Sequence, residues 1–283
     1  KGLRAEGMAI IFISHKLDEV LRVADDVTVV RAGSTVAQVK SKDVTARELA
    51  ELMVGSELPQ PTTHGDTRRP EVTLSLKDVS VPTKSGSRDL ISHISFDLQA
   101  GEVIGIAGVE GNGQAELVEA IMGLREYTGQ IEFKGENIDH YTVAHRHDAG
   151  IGLIPEDRQR QALMMNSPLW ENRILGHQRS KPVMRGFILD KKATIADTRV
   201  IMDEFDVRAP GPHTLATALS GGNQQKFIVG REMSKAPALL VASHPTRGVD
   251  VGAQAAIWDE LRSAREKGMA IVLISADLEE LIG

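Results

Sequence analysis

Short apolar runs alternate with amphipathic stretches along this chain, and clusters of glycine, proline and small polar residues separate them. Residues 9–13, apolar and mostly β-branched or aromatic, read as a buried strand. Leu17 to Val23 reads as a short helix, and Val27–Arg31 with Thr35–Val39 reads as a hairpin around Ala32-Gly33-Ser34. Thr45-Ala46-Arg47-Glu48 has capping-box spacing ahead of a helix carrying Leu49, Leu52 and Met53. Residues 57–71 are polar and proline-rich and read as a linker. Alternating strand patterns follow at Val72–Val81 and Ile91–Leu98. Glu102–Ala107 reads as a central strand and runs into a glycine-rich loop, after which Glu116–Met122 reads as a helix. Residues 156–215 are mixed, with helical stretches at Leu169–Leu175 and Thr194–Phe205, and read as an inserted helical subdomain. Ala238–Ala242, Gly252–Lys267 and Ala270–Ile274 then read as strand, amphipathic helix and strand. Strands alternating with helices predict an α/β fold with a parallel-sheet core.

One repeat changes the reading of domain organisation. Gly7–Val20 recurs at Gly268–Leu281, with eight of fourteen positions identical at a constant offset of 261. A single pair so far apart is not a solenoid; it indicates two large homologous units in tandem. The expected organisation is residues 1–56 as the end of a first unit, 57–71 as linker and 72–283 as most of a second unit, a fragment truncated at both ends.

Composition narrows the function classes. The chain's 283 residues, 41% hydrophobic and 25% charged, suit one or two domains with real cores. A net charge of -6 argues against a dominant nucleic-acid surface. The chain has no cysteine, which excludes disulfides and thiolate zinc sites. Apolar runs such as Met8–Ile13 and Ala270–Ile274 are far too short to span a bilayer, so any transport would need another chain to cross it.

Two stretches carry the chemistry. Gly108-Val109-Glu110-Gly111-Asn112-Gly113-Gln114-Ala115 lies between a strand and a helix with the glycine spacing of a phosphate-binding loop. Its glycines and the following helix N-terminus can cradle phosphate oxygens. Gln114, however, is neutral where a lysine would meet the phosphates, and Ala115 offers Mg²⁺ no oxygen. The second stretch is Leu219-Ser220-Gly221-Gly222-Asn223-Gln224-Gln225-Lys226, a polar turn running into a helical pattern. Ser220 can cap that helix, and the glycines bring backbone amides close to an anion. As an isolated Ser-Gly-Gly, this would be an ordinary turn.

Taken whole, the second stretch resembles the signature motif of ABC-transporter ATPases, in the form found in importers of simple sugars and nucleosides. Ile154-Pro155-Glu156-Asp157-Arg158 and Pro245-Thr246-Arg247-Gly248-Val249-Asp250 follow the same family's order. The resemblance implies a P-loop NTPase fold with an ABC-type β-subdomain and helical subdomain. It implies ATP and Mg²⁺ as cofactors and a place on the cytoplasmic face of the membrane. It implies as partners transmembrane permease subunits, the first ATPase unit of the same chain and, indirectly, an extracellular or periplasmic solute-binding protein, with no nucleic acid. Met164–Asn172, with Leu169 and Trp170, is the candidate permease-facing surface, or else subdomain core.

By the same resemblance, Ser243 and His244 stand where carboxylates would close the Walker B strand, Glu156 stands at the Q-loop glutamine, and Ala276 at the switch histidine. His15 keeps that histidine in the first unit and is the candidate catalytic residue, set to position the attacking water. Such units pair head to tail, so His15, Ser220, Gly221, Gly222, Gln224 and Asp250 would serve one composite site. Gln114, Ala115, Glu156, Ser243, His244 and Ala276 would serve the other. The expectation is one hydrolytic site and one degenerate site, with the fragment alone hydrolysing little ATP. A non-transport ABC protein and a non-hydrolytic nucleotide-sensing module remain the alternatives.

Overall fold

Apolar runs become strands here only where a neighbouring strand takes up their backbone hydrogen bonds. The computed structural model describes residues 3, 6–14, 16–31, 33–55, 65–83, 88–109, 111–277 and 280–281. The chain divides into Lys1–Thr62 with Val249–Ala256, and Thr63–Gly248 with Ile257–Gly283.

In the first unit, α1 (Leu17–Val23) precedes an antiparallel hairpin of β1 (Asp26–Arg31) and β2 (Ser34–Lys40). Helix α2 (Ala46–Val54) starts at the expected capping box: Thr45 Oγ1 accepts from the Glu48 amide at 3.2 Å, and Glu48 Oε2 accepts from the Thr45 amide at 2.7 Å. Leu49 is fully buried, and Val29 of β1 and Val20 of α1 are buried too. Residues 9–13 do not form the expected strand. Ile11 is 96% exposed and Ile13 101%, because among the described residues no strand lies alongside to pair with them. Their repeat counterpart, by contrast, lies between two partners in a sheet.

The second unit holds two sheets. In one, β3 (Val72–Pro82) pairs antiparallel with β4 (Asp89–Gln99) and with β6 (Thr128–Phe133), which pairs with β7 (Glu136–Asn137). In the other, β5 (Val103–Ala107), β8 (Ile151–Ile154), β11 (Leu239–Ser243) and β12 (Ala270–Ser275) are all parallel, in the order β5-β12-β11-β8. This is the α/β parallel core that the alternation predicted. β5 lies at the edge of this sheet among the described strands rather than at its centre, and its burial alternates instead of being complete. Helix α3 (Gln114–Met122) follows β5, and its Leu117, Val118, Ile121 and Met122 share one apolar cluster with both sheets. That cluster takes Leu74, Leu76 and Ile131 from the antiparallel sheet and Val241, Val272 and Ile274 from the parallel one. Full burial of each such side chain is worth roughly 1.5–3 kcal/mol, so α3 is held firmly where it begins.

Residues 65–71 are extended but tied down: Thr67 Oγ1 donates to the Gly101 carbonyl (2.7 Å) and the Arg69 amide to that of Ala100 (2.8 Å). The rest of the expected linker, 57–64, lies outside the described residues. After α4 (Val143–Ala149) and β8, the region expected to be helical holds a π-turn at Arg158–Ala162 and the one-turn α5 (Leu169–Asn172). The hairpin β9 (Met184–Arg185) with β10 (Ile188–Leu189) and α6 (Lys191–Glu204) complete it. α5 is shorter than Leu169–Leu175 because Asn172 turns its side chain back onto the loop before it, accepting from Met164 and donating to the Met164, Ser167 and Pro168 carbonyls. Leu169 is fully buried and Trp170 nearly so, under the Lys191 ammonium 4.6 Å from its ring centroid. These two are therefore core, not surface. Helix α7 (Gly221–Met233) lies against α6 at Gly230, where any Cβ would come within 2.7 Å of Ile201 and Phe205. Helix α8 (Val251–Glu266) leads into β12.

Candidate functional site

Strand register gathers the candidate residues of the second unit. Ala107 pairs with Ser275, Ile274 with Ser243, and Ala242 with Ile154. The glycine loop after β5, Ala276 after β12, His244 after β11 and Glu156 after β8 therefore all leave the same carboxyl edge of the parallel sheet, where such folds bind ligands.

The loop has cradle geometry. Gly111 and Gly113 have φ of +91° and +99°, and a Cβ on Gly113 would come 2.3 Å from Ile91 and 3.0 Å from the Leu90 carbonyl. Only glycine fits there. Gly113 leads into α3 with no side-chain cap, leaving the helix's first amides for an anion. Gln114, however, fills the cradle itself. Its Nε2 donates to the Val109 carbonyl (3.0 Å) and its Oε1 accepts from the Asn112 amide (3.0 Å). A Cβ on Gly108 would meet that Nε2 at 2.4 Å. Asn112 adds a second bond to the Val109 carbonyl at 2.9 Å. Ala115 is exposed and carries no oxygen. Glu110 lies outside the described residues.

Around the sheet edge, Ser243 is buried and His244 is half-buried with φ +48°, its amide donating to the Ile274 carbonyl at 2.8 Å. Ala276 is exposed. Neither Ala115, Ser243 nor Ala276 supplies a metal-binding oxygen comparable to a carboxylate, so this constellation does not fit a nucleotide-bound Mg²⁺. A carboxylate does stand nearby, unforeseen: Glu280 is hydrogen-bonded to Thr246 Oγ1, and its Oε2 accepts from Ser275 Oγ at 2.6 Å. Burial pushes its carboxyl up, against the pull of the Ser275 hydrogen bond. The repeat alignment with Glu19 was the available signal for it. Glu156 is not free either; it pairs with Arg247.

The second candidate stretch caps as expected. Ser220 is exposed at the N-cap of α7, accepting from the Asn223 amide (3.4 Å) and from Asn223 Nδ2 (3.0 Å). Among the described residues no acceptor meets the amides of Gly221 and Gly222. Gly221 is crowded: a Cβ would lie 2.7 Å from Arg158 and 3.0 Å from the Gly248 carbonyl. Gln224 is buried with its amide in use, donating to the Ala216 carbonyl at 3.0 Å and accepting from Arg158 Nε at 3.3 Å. Arg158 also donates to the carbonyls of Arg247 (2.6 Å) and Gly248 (3.2 Å). One guanidinium thus joins three segments, and burial pulls its pKa down. Sequence reasoning quoted Arg158 within its motif without giving it this part. Asp250 caps α8 through the Ala253 amide (2.9 Å). His15 lies outside the described residues.

Lys226 secures the base of the same helix by donating to Asp206 Oδ2 at 2.8 Å. That hydrogen bond, together with Arg208, holds the Asp206 carboxyl below its ordinary 3.8. A depressed pKa adds stability above 3.8 that disappears as pH falls through the folded-state value. Asp206→Asn, which tolerates the φ of +47° at this position, should therefore lower the urea midpoint slightly at pH 7 and by progressively less as pH falls below 3.8. A loss that stays the same down to full protonation of the carboxyl would show that the ion pair is not its source.

The family profile described as ABC transporter matches residues 91–247. The chain is 40% identical over 283 residues to the nucleoside import ATP-binding protein NupA of Lactococcus lactis, covering 100% of this chain and 56% of the relative. It is 40% identical to the guanosine import ATP-binding protein NupO of Bacillus subtilis, over 100% of this chain and 55% of the relative. It is 33% identical to the galactose/methyl galactoside import ATP-binding protein MglA of Clostridium perfringens, over 99% and 54%. The chain thus spans about half the length of these relatives. Among solved structures, a nucleotide-free ATP-binding cassette from an ABC transporter superposes with a TM-score of 0.62 at 19% identity, over 74% of this chain and 83% of that one. A bacterial Atm1-family exporter with ATP bound superposes at 0.60 and 19% identity, over 83% and 40%.

Proposed function

The chain belongs to the ABC transporter family, and on that premise we propose that it is part of the ATP-binding component of an importer for simple sugars or nucleosides. Its second unit keeps a degenerate nucleotide site and lends its signature helix to a working site on the first unit. The observation that carries this reading is the contrast between the two anion-facing helix ends. At α3, Gln114 bonds the loop to itself, while at α7 Ser220 is exposed and the next two backbone amides have no acceptor among the described residues.

In the proposed working site, Ser220 and the amides of Gly221 and Gly222 hold the γ-phosphate of ATP, and the α7 dipole favours its charge. His15 positions the attacking water. Gln224 and Arg158 act as positioning residues, fixing the signature turn against Arg247 and Gly248. Mg²⁺ would neutralise charge on the transferring phosphoryl group, and the P-loop and carboxylates to hold it belong to the first unit. Closure of the units around ATP favours the closed state only by its differential affinity for nucleotide. Among the described residues no helix is long and apolar enough to cross a membrane. Permease subunits would carry the solute, with the chain docked on their cytoplasmic face and a solute-binding protein upstream. Exposed Met164 and Phe187 in the 156–215 region are candidate contacts to them. A nucleotide-sensing role without hydrolysis is the second reading, favoured by the self-filled loop.

Two measurements test the proposal. Mg²⁺-dependent ATPase should be negligible for this chain alone and appear when a first ATPase unit is joined to it. Gln114→Lys should raise nucleotide affinity of the chain alone by about tenfold to a hundredfold, the equivalent of one charge-assisted hydrogen bond of roughly 1.5–3 kcal/mol. Full turnover by the chain alone would sink the one-working-site scheme. An unchanged affinity in Gln114→Lys would show that Gln114 is not what weakens the loop.

A further inference from the structure

Away from the sheet edge, three side chains from distant parts of the sequence converge, two buried and His147 partly exposed. His147 lies in the last turn of α4, His177 in the turn region after α5, and Glu232 near the end of α7. One ligand atom from each lies within 4.8 Å of the others, and His147 Nε2 is 3.5 Å from Glu232 Oε2. The two imidazoles meet edge to face with centroids 4.8 Å apart.

His177 is 1% exposed, yet neither of its ring nitrogens has a hydrogen-bond partner, and His147 Nδ1 also lacks one. Leaving a buried polar atom unpaired costs roughly 1–3 kcal/mol, so such atoms call for an explanation. The adjacent Arg173 commits its Nε to Asp197 Oδ2 (2.5 Å) and offers only donors, so it can satisfy at most one nitrogen of His177.

We propose that His147, His177 and Glu232 form a zinc site. Two imidazoles and one carboxylate are a common zinc donor set. Tetrahedral ligands at about 2.1 Å from the ion lie roughly 3.4 Å apart, close to the His147–Glu232 separation, and a side-chain torsion closes the rest. Glu232 is oriented for the task. Arg231 Nε holds its Oε1 at 2.9 Å, and Arg231 Nη1 is anchored to the Ala162 carbonyl (2.7 Å); Oε2 accepts from the Leu153 amide at 3.4 Å and keeps a second lone pair towards His147. The ends of α4 and α7 that carry these ligands are C-terminal, where the helix dipole favours a cation. A cleft of about 280 Å³, bordered by Lys134, Asp148, Lys235 and Pro237, leaves room for a water as fourth ligand. The ion would fasten the far end of the signature helix to the segment entering β8, independently of any nucleotide.

The test uses the full 283-residue chain, untagged and stripped by chelator. Equilibrium dialysis against Zn²⁺ should give one ion per chain, and Co²⁺ should give the intense visible absorption of four-coordinate cobalt, displaced by Zn²⁺. His177→Ala and His147→Ala should each weaken binding more than about a hundredfold, beyond the loss of an outer-shell partner. His213→Ala, which alters an exposed histidine outside the cluster, should bind as the parent does. Substoichiometric zinc, a six-coordinate cobalt spectrum, or unchanged binding in His147→Ala overturns the proposal. If His177→Ala does not fold, the parent's cobalt spectrum and His147→Ala decide.

Discussion

Ser220→Arg is expected to abolish ATP turnover once the chain is joined to a first ATPase unit. The reason lies at the start of α7. Ser220 caps the helix with its hydroxyl and is exposed, and the following amides of Gly221 and Gly222 are free to take an anion. A guanidinium there removes the cap, worth roughly 1 kcal/mol. It also sets a long cation where a phosphate and its metal must approach. Loss of one preorganised donor to a developing anion costs about 10²–10³ in rate, and steric exclusion adds to that. Turnover should therefore fall by more than about a hundredfold while circular dichroism stays the same. Ser220→Ala, which loses only the hydroxyl, should fall less. Steady-state phosphate release measures both. Normal turnover in Ser220→Arg would mean that this helix end completes no hydrolytic site, and the division of labour between the two sites would have to be abandoned.

The largest stability effect is expected at Arg146. This side chain is 1% exposed and donates to the carbonyls of Ala120 and Ile121 (both 2.8 Å), Ile138 (2.9 Å) and Tyr141 (3.3 Å). It also donates to Tyr127 Oη at 3.1 Å, which in turn donates to Asp139 at 2.7 Å. Burial, then the Asp139 hydrogen bond, pushes the phenol up to about 12, so it stays neutral at working pH. Two of these carbonyls end α3, the helix that starts at the glycine loop. Gly123, with φ +71°, makes way for the guanidinium; a Cβ there would touch Arg146 Nε at 2.8 Å. Arg146→Met keeps the stem but removes every one of these bonds: the Ile121 carbonyl loses its donor, and those of Ala120 and Ile138 keep one each, the Gly123 and Tyr141 amides (3.0 and 2.9 Å). The expected loss is about 3–5 kcal/mol, a large share of an ordinary 5–15 kcal/mol of stability. Urea unfolding reads it directly. Arg146→Lys should recover little, because one ammonium cannot span the fork's partners. A loss below about 1 kcal/mol would mean these carbonyls find other donors.

Much of the fold was legible because its signals are local. Period-two alternation at 72–81 and 91–98 became β3 and β4, and the apolar runs at 238–242 and 270–274 became parallel strands. The capping box at Thr45 and the cap at Ser220 formed where their side chains dictate. Residues 9–13 show the limit, since a strand is a property of its neighbours as much as of its own side chains. The glycine loop was legible as a loop, but the inward fold of Gln114 was not. Composition says only that a lysine is missing, whereas a rotamer decides what fills its place. Arg158, Arg146 and the His147–His177–Glu232 cluster were hidden for another reason. Each joins segments far apart in the chain, and no periodicity carries that information.

The self-bonded glycine loop also bears on how such a unit changes over generations. With Gln114 satisfying Val109 and Asn112, the loop has internal hydrogen bonds that hold its shape without a phosphate, so its conformation need not depend on nucleotide binding. On the proposed reading, a single change of Gln114 to lysine would restore affinity but no turnover, since Ser243, His244 and Ala276 would still lack the carboxylates and histidine that the resemblance implies. Each intermediate on the way back is neutral at best, and the several changes must arrive together to be rewarded. On the proposed reading of a degenerate second site, its loss would be a ratchet: easy to enter one residue at a time, and closed behind the lineage that enters it.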